Sequence, residues 1–574
     1  MKQVNSKLLL AAAIATLLAG CDSGGINVEP KTVDNSVDNS TSTPTPVEEE
    51  NPCASIVKGG QTLQGEFKAP NCYYAPSFVD AGNNLTTDLY LPALADGGVN
   101  VFEGSLFVGK NYDNDTDMQA AGISEGGDGP TLTVQAGATI AFPDKTKFMV
   151  INRGSQLIAR GTADAPITFT SVSDAVDGTA GPEDVSLWGG IVINGFGVTN
   201  KCAYTGSVAG GDLATSDCHV EAEGSEGADQ SNYGGANNAD NSGDLEYVVV
   251  KHTGAQVANG DELNGISWGA VGSGTIVKNV EAYSTYDDGM EFFGGAVNVE
   301  NYLALYVRDD SIDIDEGYAG TITNALVIQS ADNGANCIES DGIGSYGDMA
   351  DGSKTDRRAE IISQGINSRP TIDGLTCILS PNAPASKGGT GTHDYGAGWR
   401  FREGIMPTVT NSMVISSYSA DTTPNDGNNY CLRIDDAETL QGAEDGDMVL
   451  EGNVFACAEK SKGGPLPGGQ TIQDWVVAHN NQFVDFADMA AAMDPTANAD
   501  TGLQLLSAGA ESSLPMFSID PASSMMIGGV APTVTPEGSS TYLGALSNMG
   551  TDWTKGWTYG LHDGNRGESL WIEK

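Results

Sequence analysis

From residue 265 onward the chain alternates apolar and polar residues in short runs that return at a nearly constant interval. Ile266-Ser267-Trp268, Met290-Glu291-Phe292, Ile312-Asp313-Ile314, Ile338-Glu339-Ser340, Trp399-Arg400-Phe401 and Leu432-Arg433-Ile434 share one in-out-in pattern, as half-buried strands do. The first four begin 24, 22 and 26 residues apart, a period expected of a solenoid coil. A second apolar run follows: GTIVKNVEAYS at 274–284, GTITNALVIQS at 320–330, PTIDGLTCILS at 370–380 and PTVTNSMVISS at 407–417. In three coils it starts eight residues after the first, at 266 and 274, 312 and 320, 399 and 407. Unrelated strands have no reason to keep that gap. The pattern predicts an all-β chain wound as a parallel β-helix, its coils about 4.8 Å apart. A β-sandwich would need hairpin turns between equal strands, and a propeller a longer period.

The same kind of strand appears earlier, in TLTVQAGATIAF, KFMVINRGSQLIARG, APITFTS and LWGGIVINGFG. The solenoid is therefore expected over 129–482, with an N-terminal capping region at 53–128. Beyond 483 the period fades; VDFADMAAAM at 484–493 reads as a short helix. Because a solenoid must cover its open apolar end, residues 483–574, with Trp553 and Trp557, are expected to form a C-terminal cap. Excursions at roughly 200–243, 342–368 and 380–397 are long enough to be functional and are expected to wall a groove.

Stacked coils turn the alternation into columns. One outward column reads Glu291, Asp313, Glu339, Arg400, Arg433; the next reads Phe293, Asp315, Asp341, Arg402, Asp435. Acids at coil spacing repel unless a cation or a proton intervenes. Asp287, Asp288, Glu291, Asp309 and Asp310 are thus candidate cation ligands beside Asp313, Asp315, Glu316, Glu339 and Asp341. Calcium suits them, since it accepts six to eight oxygens in flexible geometry. The competing reading is a solvated acidic face balanced by Arg308 and the later arginines. A catalytic version places Asp313, Asp315 and Glu339 as acids and Arg400 or Arg402 as base of a polysaccharide lyase, or pairs carboxylates as a glycoside hydrolase does. Asp113, Asp115 and Asp117 alternate as in a calcium loop, but Met118 and Ser124 stand where such a loop needs glycine and a bidentate acid; an irregular site is expected at most. Tyr286, Tyr302, Tyr306 and Tyr318 are expected near the charged face, where rings stack on sugars. Trp399 is expected inside.

Composition narrows the partners. With 76 acidic and 27 basic residues the net charge is −49, which repels nucleic acid and excludes it as a partner. The motif HExxH is absent, and His219, His252, His393, His479 and His562 show no ligand spacing. A polysaccharide, or another envelope protein contacted by a structural or adhesive surface, remains.

The first 21 residues, MKQVNSKLLLAAAIATLLAGC, combine a basic start, an apolar stretch too short to span a bilayer and a small-residue box. Residues 1–20 therefore read as a signal peptide, and Leu-x-Ala-Gly-Cys resembles the lipobox of bacterial lipoproteins. That resemblance implies lipidation of Cys21 as the sole bilayer contact, and a place in the cell envelope. An outer membrane or cell surface is expected, although Asp22 leaves the membrane open. Residues 21–52 are polar and proline-containing, a flexible tether. Of nine cysteines, Cys21 aside, eight remain. In an exported protein, sequential disulfides Cys53–Cys72, Cys202–Cys218, Cys337–Cys377 and Cys431–Cys457 are the simplest connectivity.

WGGIVING (188–195), YDDGMEFFGG (286–295), DDSIDIDEGYAG (309–320) and DWTKGWTYG (552–560) together resemble a group of bacterial envelope lipoproteins. The resemblance implies a right-handed parallel β-helix of the pectate-lyase-like superfold. It implies no particular reaction.

Overall fold

The computed structural model describes residues 51–224, 230–258, 261–331, 333–344, 356–380, 397–416, 430–457, 459–484, 504–506, 516–518, 534–546, 552–562, 564–568 and 570. The signal peptide, Cys21, Asp22, nearly all of the tether, the 484–493 helix beyond Val484, His393 and a part of each of the three excursions lie outside them.

Ten strands form one sheet in strict chain order: β1 Leu106–Val108, β2 Met149–Ile151, β3 Ile191–Asn194, β4 Ile266–Gly269, β5 Met290–Phe293, β6 Ile312–Asp315, β7 Asn336–Asp341, β8 Ala397–Phe401, β9 Tyr430–Ile434 and β10 Glu459–Lys462. Every neighbouring pair is parallel. Parallel neighbours need a crossover between them, and here the crossover is itself strand. The runs Gly243–Lys251, Ile276–Tyr283, Asn298–Leu305, Thr321–Ile328 and Thr371–Leu379 stack in the same order. The molecule is a parallel β-helix.

Each of those longer runs turns a corner at one residue. Tyr247, Asn279, Asn301, Asn324 and Gly374 take positive φ there, as Asn411 and Gly452 do at the matching position of the next two coils. Asparagine tolerates the left-handed region because its short amide bonds locally. Here the amides also bond to one another: Asn301 Nδ2 donates to Asn279 Oδ1 at 2.9 Å and Asn324 Nδ2 to Asn301 Oδ1 at 3.1 Å. A corner ladder thus satisfies polar groups that every coil would otherwise leave open.

Inside, Ile266, Met290, Ile312, Ile338, Trp399 and Leu432 form one apolar row, with the opposite strands supplying Val280, Tyr302, Ala325 and Leu375. All four predicted disulfides are present. Cys202–Cys218 fastens an excursion. Cys337–Cys377 and Cys431–Cys457 instead join the first sheet to the opposite wall within the core.

Two boundaries differ from expectation. Stacking begins before residue 129: Cys72 pairs with Asn100, which pairs with Ile140, and Leu106 pairs with Met149. At that end the antiparallel hairpin Ser55–Gln64 and the strand Glu66–Lys68, antiparallel to Asn71–Tyr74, lie outside the parallel ladder. At the other end the helix Ile472–Ala478 puts Ile472, Trp475 and Val476 over the core. Trp553 and Trp557 are not at that end. Residues 543–546 and 552–561 run along the solenoid's side, where Leu543, Leu546 and Leu561 cover outward Tyr283, Leu305, Ile328 and Ile378.

Glu281 lies fully buried under that segment; its Oε2 accepts the Tyr559 N–H at 2.8 Å and its Oε1 has no hydrogen-bond partner. Burial pushes its carboxyl well above the ordinary glutamate value of 4.5, despite the opposing Tyr559 N–H and Lys251. The folded protein therefore holds a proton that the unfolded chain releases. Its stability contribution is complete below 4.5 and falls, by about 1.4 kcal/mol per pH unit, until the folded carboxyl itself ionises. Glu281→Gln is expected to match wild type in melts at pH 4 and exceed it at pH 7; an equal deficit at both would refute this account.

Candidate functional site

The registers extend the first outward column over the whole sheet: Phe107, Val150, Val192, Ser267, Glu291, Asp313, Glu339, Arg400, Arg433 and Lys462. It passes from apolar through acidic to basic. The apolar third is covered. Val198, Tyr204, Val220, Tyr233 and Leu263 from the excursion and two hairpins pack on Phe107, Val150 and Val192. Their edges bring Glu223 and Glu262 beside the acidic third.

There the side chains enclose a pocket of about 270 Å³, lined by Glu223, Glu262, Asp287, Asp288, Glu291, Asp309, Asp310, Asp313, Ala335, Asn336, Glu339 and Arg400. Arg400 is the sole basic group of that lining. Asp287, Asp288, Glu291 and Asp310 are buried, and Asp313 is half-buried with Oδ1 out of contact with solvent and unpartnered. Asp287 accepts no hydrogen bond from any described residue. Burial first, then mutual repulsion, pushes the carboxyls of Asp287, Asp288, Glu291, Asp310 and Asp313 well above the usual range. Two triads each offer three oxygens within 4.8 Å of one another: Asp288, Glu291 and Asp313, and Asp310, Asp313 and Glu339.

The arginines are engaged. Arg400 Nη1 lies 2.7 Å from Glu339 Oε1, and its Nε 3.4 Å from Asp435. Arg402 pairs with Asp341 and, at 3.4 Å, with Glu339. Burial works against the charge of Arg402, but Glu339 and Asp341 outweigh it and hold its pKa above the ordinary arginine value. Asp315 points its Oδ1 into a buried position without a partner, one column over.

Asp113, Asp115 and Asp117 do not converge. Asn114 caps the helix Asp115–Ala120 by accepting the Asp117 N–H, and Asp115 turns to His219. His219 Nε2 lies 2.9 Å from Asp115 and 3.1 Å from Asp217, while its Nδ1 is 2.7 Å from Arg153 Nη2. A guanidinium only donates, so Nδ1 accepts and the ring proton sits on Nε2, facing the two carboxylates. That closes the triad by hydrogen bonds and leaves the ring no lone pair for a metal. Tyr302 and Tyr318 are core residues, their hydroxyls donating to Ser311 O and Val297 O. Tyr306 joins the side cluster, and Tyr286 alone of the four keeps partial exposure. Trp399 is inside, as expected.

Sequence reasoning missed Glu223, Glu262, Asn264 and Asn336. The first two arrive by tertiary folding and left no signal. The asparagines sat in a readable repeat: Asn264, Asp288, Asp310 and Asn336 each stand three residues before Ser267, Glu291, Asp313 and Glu339.

No curated protein and no solved structure matches the chain. A family profile described as a pectate-lyase-like beta helix domain matches residues 112–476, more than half of the 574 residues. With the stacked parallel strands, this places the chain in the family of pectate-lyase-like β-helix domains.

Proposed function

We propose that this is a lipid-anchored cell-envelope protein whose acidic pocket holds a divalent cation, calcium foremost, and through it binds an extended acidic polysaccharide. The lining of the pocket carries the reading: eight carboxylates besides the Arg400-paired Glu339, with Arg400 the only basic side chain among them. A bare polyanion is repelled there. A hard divalent ion reverses the local sign and keeps ligand positions for sugar carboxylates and hydroxyls. The long parallel sheet supports an extended ligand, and the pectate-lyase-like family supports a glycan. The Leu17–Cys21 box and the polar residues after it support the anchor. Lyase chemistry needs a base able to give up its proton, whereas Arg400 and Arg402 are held protonated by their carboxylate partners; the pocket favours binding over turnover.

Calorimetric titration with polygalacturonate or alginate tests the proposal. Binding is expected in calcium and should vanish in EDTA. Equal binding in both buffers, or none in calcium, would overturn it.

A further inference from the structure

Four consecutive coils repeat one hydrogen bond at the edge of the pocket. The Asp288 N–H donates to Asn264 Oδ1 at 3.1 Å, the Asp310 N–H to Asp288 Oδ1 at 2.9 Å, and the Asn336 N–H to Asp310 Oδ1. Asn264, Asp288, Asp310 and Asn336 are thus rungs of one ladder, each of the first three spending one oxygen on the next coil's backbone. What remains on each rung differs. At the two ends it is an amide, and it donates to the acidic column: Asn264 Nδ2 to Glu291 Oε2, and Asn336 Nδ2 to Glu339 Oε1 at 3.4 Å. On the two middle rungs it is a second carboxylate oxygen, which has nothing to donate.

The middle rungs are where the two oxygen triads lie. One joins Asp288 and Glu291 to Asp313 of the following coil; the other joins Asp310 and Asp313 to Glu339 of the coil after that. The triads are one motif used twice, an acid on the ladder, an acid three residues on, and the acid one coil above. Asp313 belongs to both. Its Oδ1 is buried without a partner, and Asp287 beside it, 8% exposed, accepts no hydrogen bond from the described residues. One coil further the motif ends: Ala335-Asn336 replaces the paired aspartates, and Arg400 Nη1 stands 2.7 Å from Glu339. The guanidinium supplies from the chain the positive charge that the two preceding coils lack.

We infer that the pocket binds two divalent cations, one per triad, about one coil or 4.8 Å apart, with Asp313 bridging them. The inference rests on the cation of the proposed function and fixes its number and ligands. The two ions bring four positive charges to Asp288, Glu291, Asp310 and Asp313, while Glu339 is balanced by Arg400. A carboxylate shared between two ions gives each one oxygen, the usual arrangement of paired-metal sites.

The ladder itself supplies the test. Asp288→Asn and Asp310→Asn install on a middle rung the residue that the end rungs already carry, so the backbone hydrogen bond is kept. Calcium chloride alone is titrated into the full chain by calorimetry, with melting in EDTA as a check on folding. Wild type is expected to bind two ions, each single variant one, and the double variant none, with all three variants melting at or above wild type in EDTA. A wild type that binds one ion overturns the pair and leaves the proposed function standing. Two ions retained by both single variants would overturn the ligand assignment. No calcium bound by the wild type removes this inference and the cation of the proposed function together.

Discussion

Replacing Trp399 by alanine is expected to cost about 3–5 kcal/mol of stability, the range for a large aromatic lost from a packed core. The indole is fully buried, level with Ile338 below and Leu432 above, and packs edge-on against Phe455 with ring centroids 5.0 Å apart. A coil touches only its neighbours, so a cavity there weakens both interfaces. Trp399→Phe is expected to cost much less, under about 2 kcal/mol, because it keeps an aromatic ring and removes an indole N–H that has no hydrogen-bond partner. Chemical denaturation of the three proteins distinguishes them. An alanine variant within about 1 kcal/mol of wild type, less than any buried large-to-small change of this size, would mean that Trp399 is not in the core row.

The second large effect has opposite signs in two buffers. Asp313 stands between Glu291 and Glu339 in one column, and it loses more to burial and repulsion than it gains from Arg402 and a backbone N–H. Asp313→Asn removes that charge, and without divalent ions it is expected to stabilise the protein by about 1–4 kcal/mol, as when buried ionic groups are neutralised. In calcium the order reverses. Wild type gains about 2.7 kcal/mol when calcium is at one hundred times Kd, and the variant has lost the shared ligand. Melting curves in EDTA and in calcium should therefore cross. A variant less stable than wild type in EDTA and still responsive to calcium would contradict the assignment.

The sequence made the solenoid readable because its two signals are geometric. Alternation marks strands, and a nearly constant interval between Ile266, Met290, Ile312 and Ile338 marks stacking. The columns through Asp313 and Arg400 came directly from those intervals. Alternation failed at corners. Asn301 and Glu316 take positive φ, and a residue in that conformation shifts the in-out phase of its successors along the strand. Tyr302 and Tyr318, assigned to the charged face, consequently point into the core. The coil at 71–108 was hidden for a different reason: the segment between β1 and β2 carries the Asp115–Ala120 helix and its flanking turns, so no regular interval survives there. Trp553 and Trp557 were assigned to an end on the argument that open ends need covering. The helix at 472–478 already covers that end, and the apolar residues left uncovered are Leu305, Ile328 and their column on the side. Glu223 and Glu262 could not be read at all, since nothing local places a hairpin edge over a particular coil.

The central claim is that the acids of three successive coils form cation sites. Diffraction from crystals grown with terbium, which scatters anomalously, tests it most directly. Two anomalous peaks are predicted, each within about 2.3–2.6 Å, the reach of calcium-type coordination, of oxygens from Asp288, Glu291 and Asp313 or from Asp310, Asp313 and Glu339. Ions bound elsewhere on the chain with no peak among these carboxylates would contradict it.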